Sequence, residues 1–480
     1  MARRSTRRDW LTGTAMFLPA LGLGNMATAR DGGDRLEDVL ARIKPPAFLD
    51  RDFEITKYGA VGDGETKCTG AIRKAIQACS SVGGGRVVVP SGRFLTGAIH
   101  LESNVNLYVS QGATLLFSTD TKDYLPVVYT RFESTECMNY SPFIYAFGKR
   151  NVGITGPGIL DGQADEEHWW PWRNKARGGH TRDQPSTGPN DVKTLVEEMG
   201  NKDVPVEKRV FGEGHYLRPN FVQPYRCENV IMEGFTVRRS PMWELNPTLC
   251  RNVTVRNINV DCPGGPNNDG CDPDASRDVL IEKCTFNTGD DCIAIKAGRN
   301  RDGRRVGVAC ENVIVQDCVM KEGHGGVSIG SEVSGGIKNM YIRRCGMSSP
   351  HLQRALRIKT NSYRGGIIDN VQFMNVTVGQ VAEAVIEVDF YYEEGEGGPF
   401  KPVVNNILVK DVTCQKSKYG VYLRGYANAP ISGVTLSHCT FNNGEKGDFV
   451  KDVKGVQVED VTVNGKRITA QELISGKATS

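Results

Sequence analysis

Apolar residues recur along residues 229–463 in a fixed spacing that is neither helical nor a simple alternation. Each unit opens with Asn, Asp or Gly, and apolar side chains follow at offsets zero and two, then five and seven. Offsets zero and two share one face of a short strand, and offsets five and seven share one face of a second strand. The odd step between them requires a bend. Nine units begin at Val230, Val253, Val279, Val313, Met340, Val371, Ile407, Val434 and Val456.

The interval between units indicates a stacked repeat. Intervals of 22–36 residues are typical of repeat proteins whose units bury their apolar faces only against their neighbours. Two strands per unit and no helical pattern predict an all-β protein, a single right-handed parallel β-helix. A leucine-rich horseshoe is the alternative, but the repeats lack its leucines. The amphipathic segment 66–80 is predicted to be a helix that caps the open N-terminal end.

Four of the 14 cysteines stand at offset five, in a column that otherwise holds Val, Ile and Phe. Such cysteines behave as small buried hydrophobes. We therefore predict buried thiols, rather than disulfides or metal ligands, at Cys284, Cys318, Cys345 and Cys439. The chain has no C-x-x-C motif that would indicate zinc.

The first 29 residues differ from the rest of the chain. Four arginines precede a short apolar run from Leu11 to Leu23, and Ala27-Thr28-Ala29 follows it, which is the order of a cleaved export signal. The run is shorter than the roughly 20 apolar residues that span a membrane. The string T-R-R-D-W-L at 6–11 resembles a twin-arginine signal. We expect residues 1–29 to be a twin-arginine-type signal peptide, and the mature protein to be periplasmic or secreted and free of the membrane.

The remaining chain carries no net charge. Removing four Arg and one Asp with the leader leaves 55 of 59 basic and 55 of 56 acidic residues. This balance gives no general attraction to nucleic acid, and none is predicted as a partner. We predict a lead-in linker at 30–51, the β-helix domain at 52–465 and a C-terminal tail at 466–480. The protein is expected to be a monomer.

Two charged side chains fall in the same register of consecutive units. Asp290 lies eleven residues after Val279, and His324 lies eleven residues after Val313. Because stacked strands are about 4.8 Å apart, Asp290 and His324 are predicted to be neighbours. Asp291 follows directly, so that this point of the stack carries two adjacent carboxylates.

The neighbouring coils extend the same line of charge. On the preceding coil, the loop N-N-D-G contributes Asp269. On the following coil, the strand A-L-R-I-K turns Leu356 and Ile358 inward if it alternates, so that Arg357 and Lys359 point outward. Four consecutive coils are therefore predicted to present carboxylates, an imidazole and two cations in a row.

This arrangement favours glycoside hydrolysis. Crowding raises the pKa of one carboxyl, which leaves a protonated acid beside ionised neighbours. One carboxylic acid can then protonate the leaving oxygen while others activate water. The adjacent cations would bind an anionic sugar. The alternative is that these residues form a solvated charged edge of the β-helix without a function. That alternative accounts well for any single charged residue but poorly for the alignment of six of them on four coils.

These residues resemble the signature of glycoside hydrolase family 28, the polygalacturonase family. The resemblance covers roughly residues 52–465 and includes Y-G-A-V-G-D-G at 58–64. The four signature blocks occur in order as N-N-D-G at 267–270, G-D-D-C at 289–292, G-H-G at 323–325 and R-I-K at 357–359.

The resemblance implies a pectin-lyase-like fold and an inverting hydrolase that cleaves α-linked galacturonic acid from pectic polysaccharide. By the family pattern, Asp290 is the general acid and its protonation is tuned by His324. Asp269 and Asp291 activate the water. The family's usual Thr in the first block is Asn268 here, which leaves the adjacent Asp in place.

The resemblance also implies the substrate-binding residues. Arg357 and Lys359 would hold the substrate carboxylate, and Tyr392 in Y-E-E-G would face the substrate, with a packed aromatic as the alternative. The string D-G-C-D-P-D-A-S at 269–276 looks more like exo-acting bacterial members than endo-acting ones. The insertion 299–305 would wall off one end of the cleft, or else form a solvated loop. We expect an exo-polygalacturonase or a rhamnogalacturonan galacturonohydrolase, with an endo-polygalacturonase as the alternative.

Two other functions fit a β-helix. In pectate-type lyases, clustered aspartates bind Ca²⁺ and an Arg or Lys abstracts a proton. Ca²⁺ requires six to eight oxygen ligands, and His324 has no role in that scheme. A non-catalytic carbohydrate-binding β-helix would need no such line of Asp, His, Arg and Lys. The hydrolase interpretation predicts no metal and no cofactor.

Overall fold

The computed structural model describes residues 35–175 and 192–476, which form a right-handed parallel β-helix. The predicted signal peptide at 1–29 lies outside the described residues. Nearly all strand pairs are parallel, and each strand pairs with the equivalent strand of the next coil. A 23-stranded sheet contains both strands of the repeat, and a six-stranded sheet contains the third strand of successive coils. The predicted fold class is confirmed.

The repeat columns read from the sequence are the paired columns of the structure. Val230 pairs with Val253, Val253 pairs with Val279, and the pairing continues unit by unit to Val456. Their side chains fill the interior of the stack, where Val253 and Val279 are fully buried. The hydrophobic effect therefore acts along the whole column, because each coil covers the apolar face of the next.

Two positions in every unit adopt the left-handed backbone conformation. The residue before offset zero is one, as in Asn229 (φ 58°) and Asn339 (φ 59°). The residue at offset four, where the chain bends from the first strand to the second, is the other, as in Asn257 (φ 54°) and Asp411 (φ 54°). Asn and Asp tolerate this conformation better than other non-glycine residues. The turn residues that mark the repeat in the sequence are therefore a requirement of the backbone.

The asparagines before offset zero also form a ladder along the stack. Asn229 Nδ2 donates to Asn151 Oδ1 at 2.9 Å, and Asn252 Nδ2 donates to Asn229 Oδ1 at 2.8 Å. Farther along, Asn339 Nδ2 donates to Asn312 Oδ1 at 2.8 Å. These bonds satisfy side-chain amides that would otherwise be partly buried without partners. They also hold neighbouring coils in register.

The N-terminal coils contain twelve strands. These are β1 (Asp52–Glu54), β2 (Asp63–Lys67), β3 (Gly85–Val89), β4 (Gly92–Thr96), β5 (Ile99–His100), β6 (Val105–Val109), β7 (Ala113–Phe117), β8 (Val128–Phe132), β9 (Thr135–Asn139), β10 (Ile144–Phe147), β11 (Arg150–Thr155) and β12 (Ile159–Asp161).

The central coils carry the line of charged residues. Their strands are β13 (Val210–Phe211), β14 (Val222–Tyr225), β15 (Glu228–Glu233), β16 (Thr236–Arg238), β17 (Arg251–Arg256), β18 (Asn259–Cys262), β19 (Arg277–Glu282), β20 (Thr285–Thr288), β21 (Ile293–Ile295), β22 (Cys310–Gln316), β23 (Val319–Met320) and β24 (Val327–Ile329).

In the C-terminal coils, from residue 367 onward, the two strands of a unit merge into one long strand. The strands are β25 (Ile337–Arg343), β26 (Gly346–Met347), β27 (Arg354–Lys359), β28 (Ile367–Gln380), β29 (Ala384–Asp389), β30 (Val403–Lys416), β31 (Tyr419–Arg424), β32 (Ile431–Phe441), β33 (Phe449–Lys451), β34 (Val453–Val463) and β35 (Lys466–Ile468).

Six described helices lie at the ends and on the outside of the stack of coils. The predicted capping helix is observed as α2, and its face of Ala71, Ile72, Ala75 and Ile76 is buried. It contacts β1 and β3 at the N-terminal end of the sheet. The described helices are α1 (Leu36–Arg42), α2 (Thr69–Ser81), α3 (Trp172–Lys175), α4 (Val192–Asn201), α5 (Asn300–Val306) and α6 (Ala470–Ile474).

The segment interpreted as a lead-in linker contains helix α1. Its Val39 is fully buried and packs with Ile43 against Ile314 and Tyr341 on the outer side of β22 and β25. Burial of an apolar side chain of this size contributes about 1.5–3 kcal/mol. The described part of residues 30–51 is therefore packed on the β-helix rather than a simple linker.

The segment interpreted as a C-terminal tail closes the other end of the stack. Strand β35 pairs antiparallel with β34, and Leu473 of helix α6 is fully buried. Thr469 caps α6 by accepting from the Glu472 amide, and the Glu472 carboxylate accepts in return from the Thr469 amide. Such reciprocal caps satisfy donors that a helix start leaves free. Residues 466–476 therefore belong to the domain.

All 14 cysteines lie within the described residues, and all are buried and free. The predicted buried thiols at Cys284, Cys318, Cys345 and Cys439 are confirmed. Within residues 35–175 and 192–476, no helix combines the length and the apolar character needed to cross a membrane.

Candidate active site

Main-chain hydrogen bonds bring the predicted residues to one place on the β-helix. The Gly270 amide donates to the Asp291 carbonyl at 3.0 Å, which aligns the loop of Asp269 with Asp291. The His324 amide donates to the Asp290 carbonyl, also at 3.0 Å. Three consecutive coils therefore deliver these side chains beside one another, just before the strands β21 and β24.

Three carboxyl groups form the centre of the site. Oxygens of Asp269, Asp290 and Asp291 lie within 4.8 Å of one another. The Asp269 side chain is 4% exposed, the Asp290 side chain is 14% exposed and the Asp291 side chain is inaccessible. Three negative charges so close together in a buried place repel strongly. Their arrangement depends on the cations around them.

His324 contacts Asp290 directly. The imidazole Nδ1 lies 2.8 Å from Asp290 Oδ1. Burial acts to raise the pKa of Asp290, but the hydrogen bond from His324 and the positive charges of His324, Lys359 and Arg357 outweigh it, so that the pKa is lowered. In the free site Asp290 is therefore ionised.

Arg357 and Lys359 converge on Asp291 from the next coils. Leu356 and Ile358 point into the core and are fully buried, so the two cations lie on the opposite face of β27. Lys359 Nζ donates to Asp291 Oδ2 at 2.7 Å, and an Arg357 Nη lies 3.6 Å from Asp291 Oδ1. Burial acts to raise the pKa of Asp291, and the charges of Lys359 and Arg357 reverse that and lower it.

Tyr392 lies against the same two cations. Lys359 Nζ is 5.3 Å from the ring centroid, and the Arg357 guanidinium carbon is 5.5 Å from it. Both distances are within the range of cation–π attraction. Tyr392 also lines the cleft. All seven predicted site residues are therefore found in one cluster.

Lys296 is a member of this cluster that the sequence analysis missed. Its Nζ lies 3.3 Å from Glu332, 3.5 Å from Asp272 and 3.6 Å from Asp269, and it rests 4.3 Å from the ring centroid of Trp243. The lysine is 97% buried. The strand alternation that predicts Arg357 and Lys359 would also have found it, because Ile293 and Ile295 face the core.

Asp272 is a second missed residue. It is fully buried in the site, and burial together with the charges of Asp291 and Asp290 raises its pKa to about 7, although Lys296 opposes this. The pKa of Asp269 is likewise raised, first by burial and then by Asp272 and Asp290. The sequence predicts that crowding raises the pKa of one carboxyl, and the family resemblance makes Asp290 the general acid. The structure raises the pKa at Asp269 and Asp272 instead, because their burial outweighs Lys296 at 3.5–3.6 Å, whereas Asp290 and Asp291 have partners at 2.7–2.8 Å.

The cluster opens into a cleft that is lined by Asp269, Asp290 and Lys359, among others. One side of this cleft is formed by segments from distant parts of the chain. Arg299 joins them: it lies 3.1 Å from Glu133, 2.9 Å from Glu197 and 3.4 Å from Glu332. Helix α5 follows Arg299 directly and contacts α4. The insertion 299–305 is thus a folded wall element rather than a solvated loop.

The three carboxylates also have the grouping of a metal site. Two of them already have close partners, since the Lys359 ammonium bonds Asp291 and the His324 ring contacts Asp290. The Lys296 ammonium lies beside Asp269. Ca²⁺ requires six to eight oxygen ligands, and these nitrogen groups stand where further oxygens would be needed. The donor set fits proton transfer better than Ca²⁺ binding.

Known proteins are similar to this chain in sequence and in fold. Residues 211–463 match the family Glycosyl hydrolases family 28. A hyperthermoactive exopolygalacturonase from Thermotoga maritima is 44% identical, with 90% of this chain and 96% of that chain covered and a TM-score of 0.85. An exo-poly-alpha-D-galacturonosidase from Dickeya chrysanthemi is 26% identical over 468 residues, which cover 87% of this chain and 75% of that protein.

The family match covers more than half of the chain and contains all seven residues of the cluster. The Thermotoga protein extends the similarity over nearly the whole β-helix. The chain is therefore a glycoside hydrolase and belongs to glycosyl hydrolase family 28.

Proposed function

We propose that the protein is an exo-acting hydrolase that releases galacturonic acid from the end of a pectic chain. The observation that carries the proposal is the contact between the three-carboxyl cluster and the Arg357–Lys359 pair at one cleft. Carboxyl groups supply the acid and base of glycoside hydrolysis. The cations supply a partner for the carboxylate of a uronic acid. Relatives named as exo-acting polygalacturonases support the substrate class.

The proposed general acid is Asp290. It must carry the proton that goes to the leaving oxygen, while the base carboxylates are ionised. In the free site, however, the pKa of Asp290 is lowered, whereas the pKa values of Asp269 and Asp272 are raised. A substrate carboxylate bound to Arg357 and Lys359 offsets the positive charges that lower the pKa of Asp290. One proton moved within the cluster, across less than 4.8 Å between oxygens, then gives the reactive arrangement.

Asp269 and Asp291 are the proposed water-activating pair. They lie on adjacent coils, and the hydrogen bond from Gly270 to Asp291 keeps their loops side by side. A water between them would lose its proton to one carboxylate as its oxygen attacks the anomeric carbon. The Asp290 proton meanwhile passes to the departing oxygen, so the proton count balances.

Exo action is supported by the side of the cleft around Arg299. Glu133, Glu197 and Glu332 each lie within 3.4 Å of its guanidinium, so these ion pairs join three separate segments on one side of the cleft. A polysaccharide can cross an open groove but can only end in a closed pocket. The arrangement therefore favours removal of terminal residues over internal cleavage.

The stereochemical outcome needs its own test. We propose inversion on the basis of the family resemblance. Carboxyl spacing is one indicator of this outcome, since inverting enzymes usually hold the two carboxyl groups about 6.5–9.5 Å apart and retaining ones about 5 Å apart. Here the carboxyl oxygens lie within 4.8 Å. NMR of the released sugar decides the point: β-galacturonic acid as the first product supports inversion, and the α-anomer would indicate a covalent intermediate.

The central experiment is digestion of oligogalacturonides and rhamnogalacturonan oligomers in EDTA. Product masses and absorbance near 235 nm are recorded together. We expect saturated galacturonic acid monomer with no rise in absorbance. Larger saturated oligomers would indicate internal cleavage, and an absorbing product that requires Ca²⁺ would indicate a lyase. Asp290→Asn serves as the inactive control.

We further propose that the protein is exported by the twin-arginine route and acts as a monomer. The leader pattern at 1–29 supports the first point. Lysine replacement of Arg7 and Arg8, with fractionation of cells, tests the route. Light scattering of the purified protein tests the oligomeric state.

A further inference from the structure

Arg218 is a buried cation in the cleft with only neutral partners. It is 3% exposed and lines the same cleft as Asp269 and Asp290. Its guanidinium donates to the Pro241 carbonyl at 2.8 Å, to the Pro266 carbonyl at 2.5 Å and to Asn267 Oδ1 at 2.7 Å. No described carboxylate lies within 4.0 Å of it. Its positive charge is therefore hydrogen-bonded but not neutralised.

Four other cations that line the cleft differ in this respect. Each is paired with a carboxylate within hydrogen-bond or ion-pair distance. The pairs are Lys193 with Glu133 at 2.6 Å, Lys296 with Glu332 at 3.3 Å, Arg299 with Glu197 at 2.9 Å, and Lys359 with Asp291 at 2.7 Å.

An unpaired buried charge is costly to maintain. Removing one ion from water carries an effective penalty of several kcal/mol, which an ion pair offsets only with good geometry. Burial and the like charge of Arg173 lower the pKa of Arg218 to about 9. An incoming anion would relieve this cost. The planar guanidinium is also held in place by its three oxygen partners, so that its remaining donors are ordered before any ligand arrives.

The position of Arg218 relates it to the reaction centre. It contacts Asn267, two residues before Asp269, from a coil on the N-terminal side of the carboxyl cluster. Arg357 and Lys359 contact Asp291 from coils on the C-terminal side. A glycosidic bond placed at the cluster would therefore have a cation site on each side.

We propose that Arg218 binds the carboxylate of the terminal uronic acid, the sugar that is released, and so makes a free carboxyl on that sugar a requirement for cleavage. The inference rests on the proposed exo-hydrolase function and adds the recognition of the released sugar to it. The Arg357–Lys359 pair then takes the carboxylate of the sugar on the other side of the bond. This makes a chain of consecutive uronic acids the preferred substrate.

A purely structural role for Arg218 must be distinguished, because its bonds also hold the loops at Pro241 and Pro266 together. We would compare Arg218→Gln and Arg218→Lys with wild type on two oligogalacturonides. One has a free terminal carboxyl, and the other carries galactose at that end. The readout is the ratio of kcat/KM between the two substrates. Arg238→Gln, at an arginine that is half exposed, is the matched control.

We expect wild type to prefer the acidic terminus by at least tenfold, Arg218→Gln to reduce that ratio at least tenfold, and Arg218→Lys to retain part of it. The control should keep the wild-type ratio. An equal loss of kcat/KM on both substrates, with their ratio unchanged, would overturn the proposal. Arg218 would then only hold the loops at Pro241 and Pro266 together. If Arg218→Gln does not fold, two other measurements test the proposal. One is the kcat/KM ratio of Arg218→Lys, and the other is whether the wild type binds galacturonate more tightly than galactose. Failure of wild type to release galacturonic acid from either substrate would instead refute the proposed function.

Discussion

Replacement of Lys359 by Met should destabilise the protein by exposing the cost of a buried carboxylate. Lys359 Nζ lies 2.7 Å from Asp291 Oδ2, with the two side chains 8% and 0% exposed. A Met side chain fills a similar volume but carries no charge and cannot donate a hydrogen bond to Asp291. The remaining cation, Arg357, lies 3.6 Å from the other carboxylate oxygen and offsets only part of the charge.

The magnitude follows from the geometry. Two unit charges about 4 Å apart interact by about 4 kcal/mol at an effective dielectric constant of about 20. Breaking a buried pair on one side usually costs about 3–5 kcal/mol. We therefore expect Lys359→Met to lower the free energy of unfolding by about 3–4 kcal/mol at pH 7. Adding Asp291→Asn removes the unpaired charge and should restore most of that loss.

The pH dependence gives an independent check. Burial raises the pKa of Asp291, and Lys359 is the largest of the charges that lower it. Without Lys359 the pKa of Asp291 rises in the folded state. The defect of Lys359→Met should therefore be full at neutral pH and should shrink as the pH falls through that raised pKa, because a protonated Asp291 needs no cation.

Urea denaturation of wild type, both single variants and the double variant gives the coupling energy directly. Lys418→Met is the matched control, since Lys418 lies at the same 2.7 Å from Glu383 but the two side chains are 31% and 36% exposed. An exposed pair contributes about 0–1 kcal/mol. A coupling energy between Lys359 and Asp291 no larger than that of the surface pair would refute the reasoning.

Three further predictions follow from single groups. Asp290→Asn should lower kcat by about 10²–10⁴-fold with an unchanged circular dichroism spectrum, since general acid catalysis contributes that much; retained turnover in a folded variant contradicts the assignment. Burial raises the pKa of Asp448 to about 6 from 3.8, so the folded state holds a proton that the unfolded state has lost. Wild type should accordingly lose about 3 kcal/mol of stability relative to Asp448→Asn as the pH rises from about 4 to about 6, and parallel pH profiles in urea melts would exclude this. A thiol reagent should react slowly with native protein and with about 14 groups in denaturant, because all 14 cysteines are buried and free; a lower count in denaturant would indicate disulfides.

The fold could be predicted because its physical requirements are local and repeated. Each coil needs left-handed residues at two positions. The first is Asn, Asp or Gly in all nine units, as in Asn229, and the second is one of these in six units, as in Asp411. Each coil also needs an inward apolar column, and the pairing of Val230 with Val253 shows that the columns were read in register. The packing of helices α1 and α6 on the β-helix was not predicted, because both helices are short and lie outside the repeat.

Only part of the site was accessible from sequence. Strand alternation placed Arg357 and Lys359 on the outer face, and the same rule applied to Ile295 would have identified Lys296. The wall around Arg299 was not accessible, since its partners come from three distant segments. The distribution of protons was not accessible either. It depends on the distances between each carboxyl and the surrounding cations, and these distances cannot be derived from the spacing of residues along the chain.

The repeat that builds the fold also explains why the pKa values of the carboxyls in the site differ. Stacked coils place equivalent side chains about 4.8 Å apart, so a line of carboxylates along the stack cannot be fully ionised without cations between the coils. Lys296 and Lys359 provide two such charges, and each lies closer to some carboxyls than to others. The charges of Lys359 and Arg357 lower the pKa values of Asp290 and Asp291, and a bound uronate that offsets these two charges should raise the pKa of Asp290. On this argument the substrate's own carboxylate completes the general acid, and a neutral sugar in its place should bind without being cleaved efficiently.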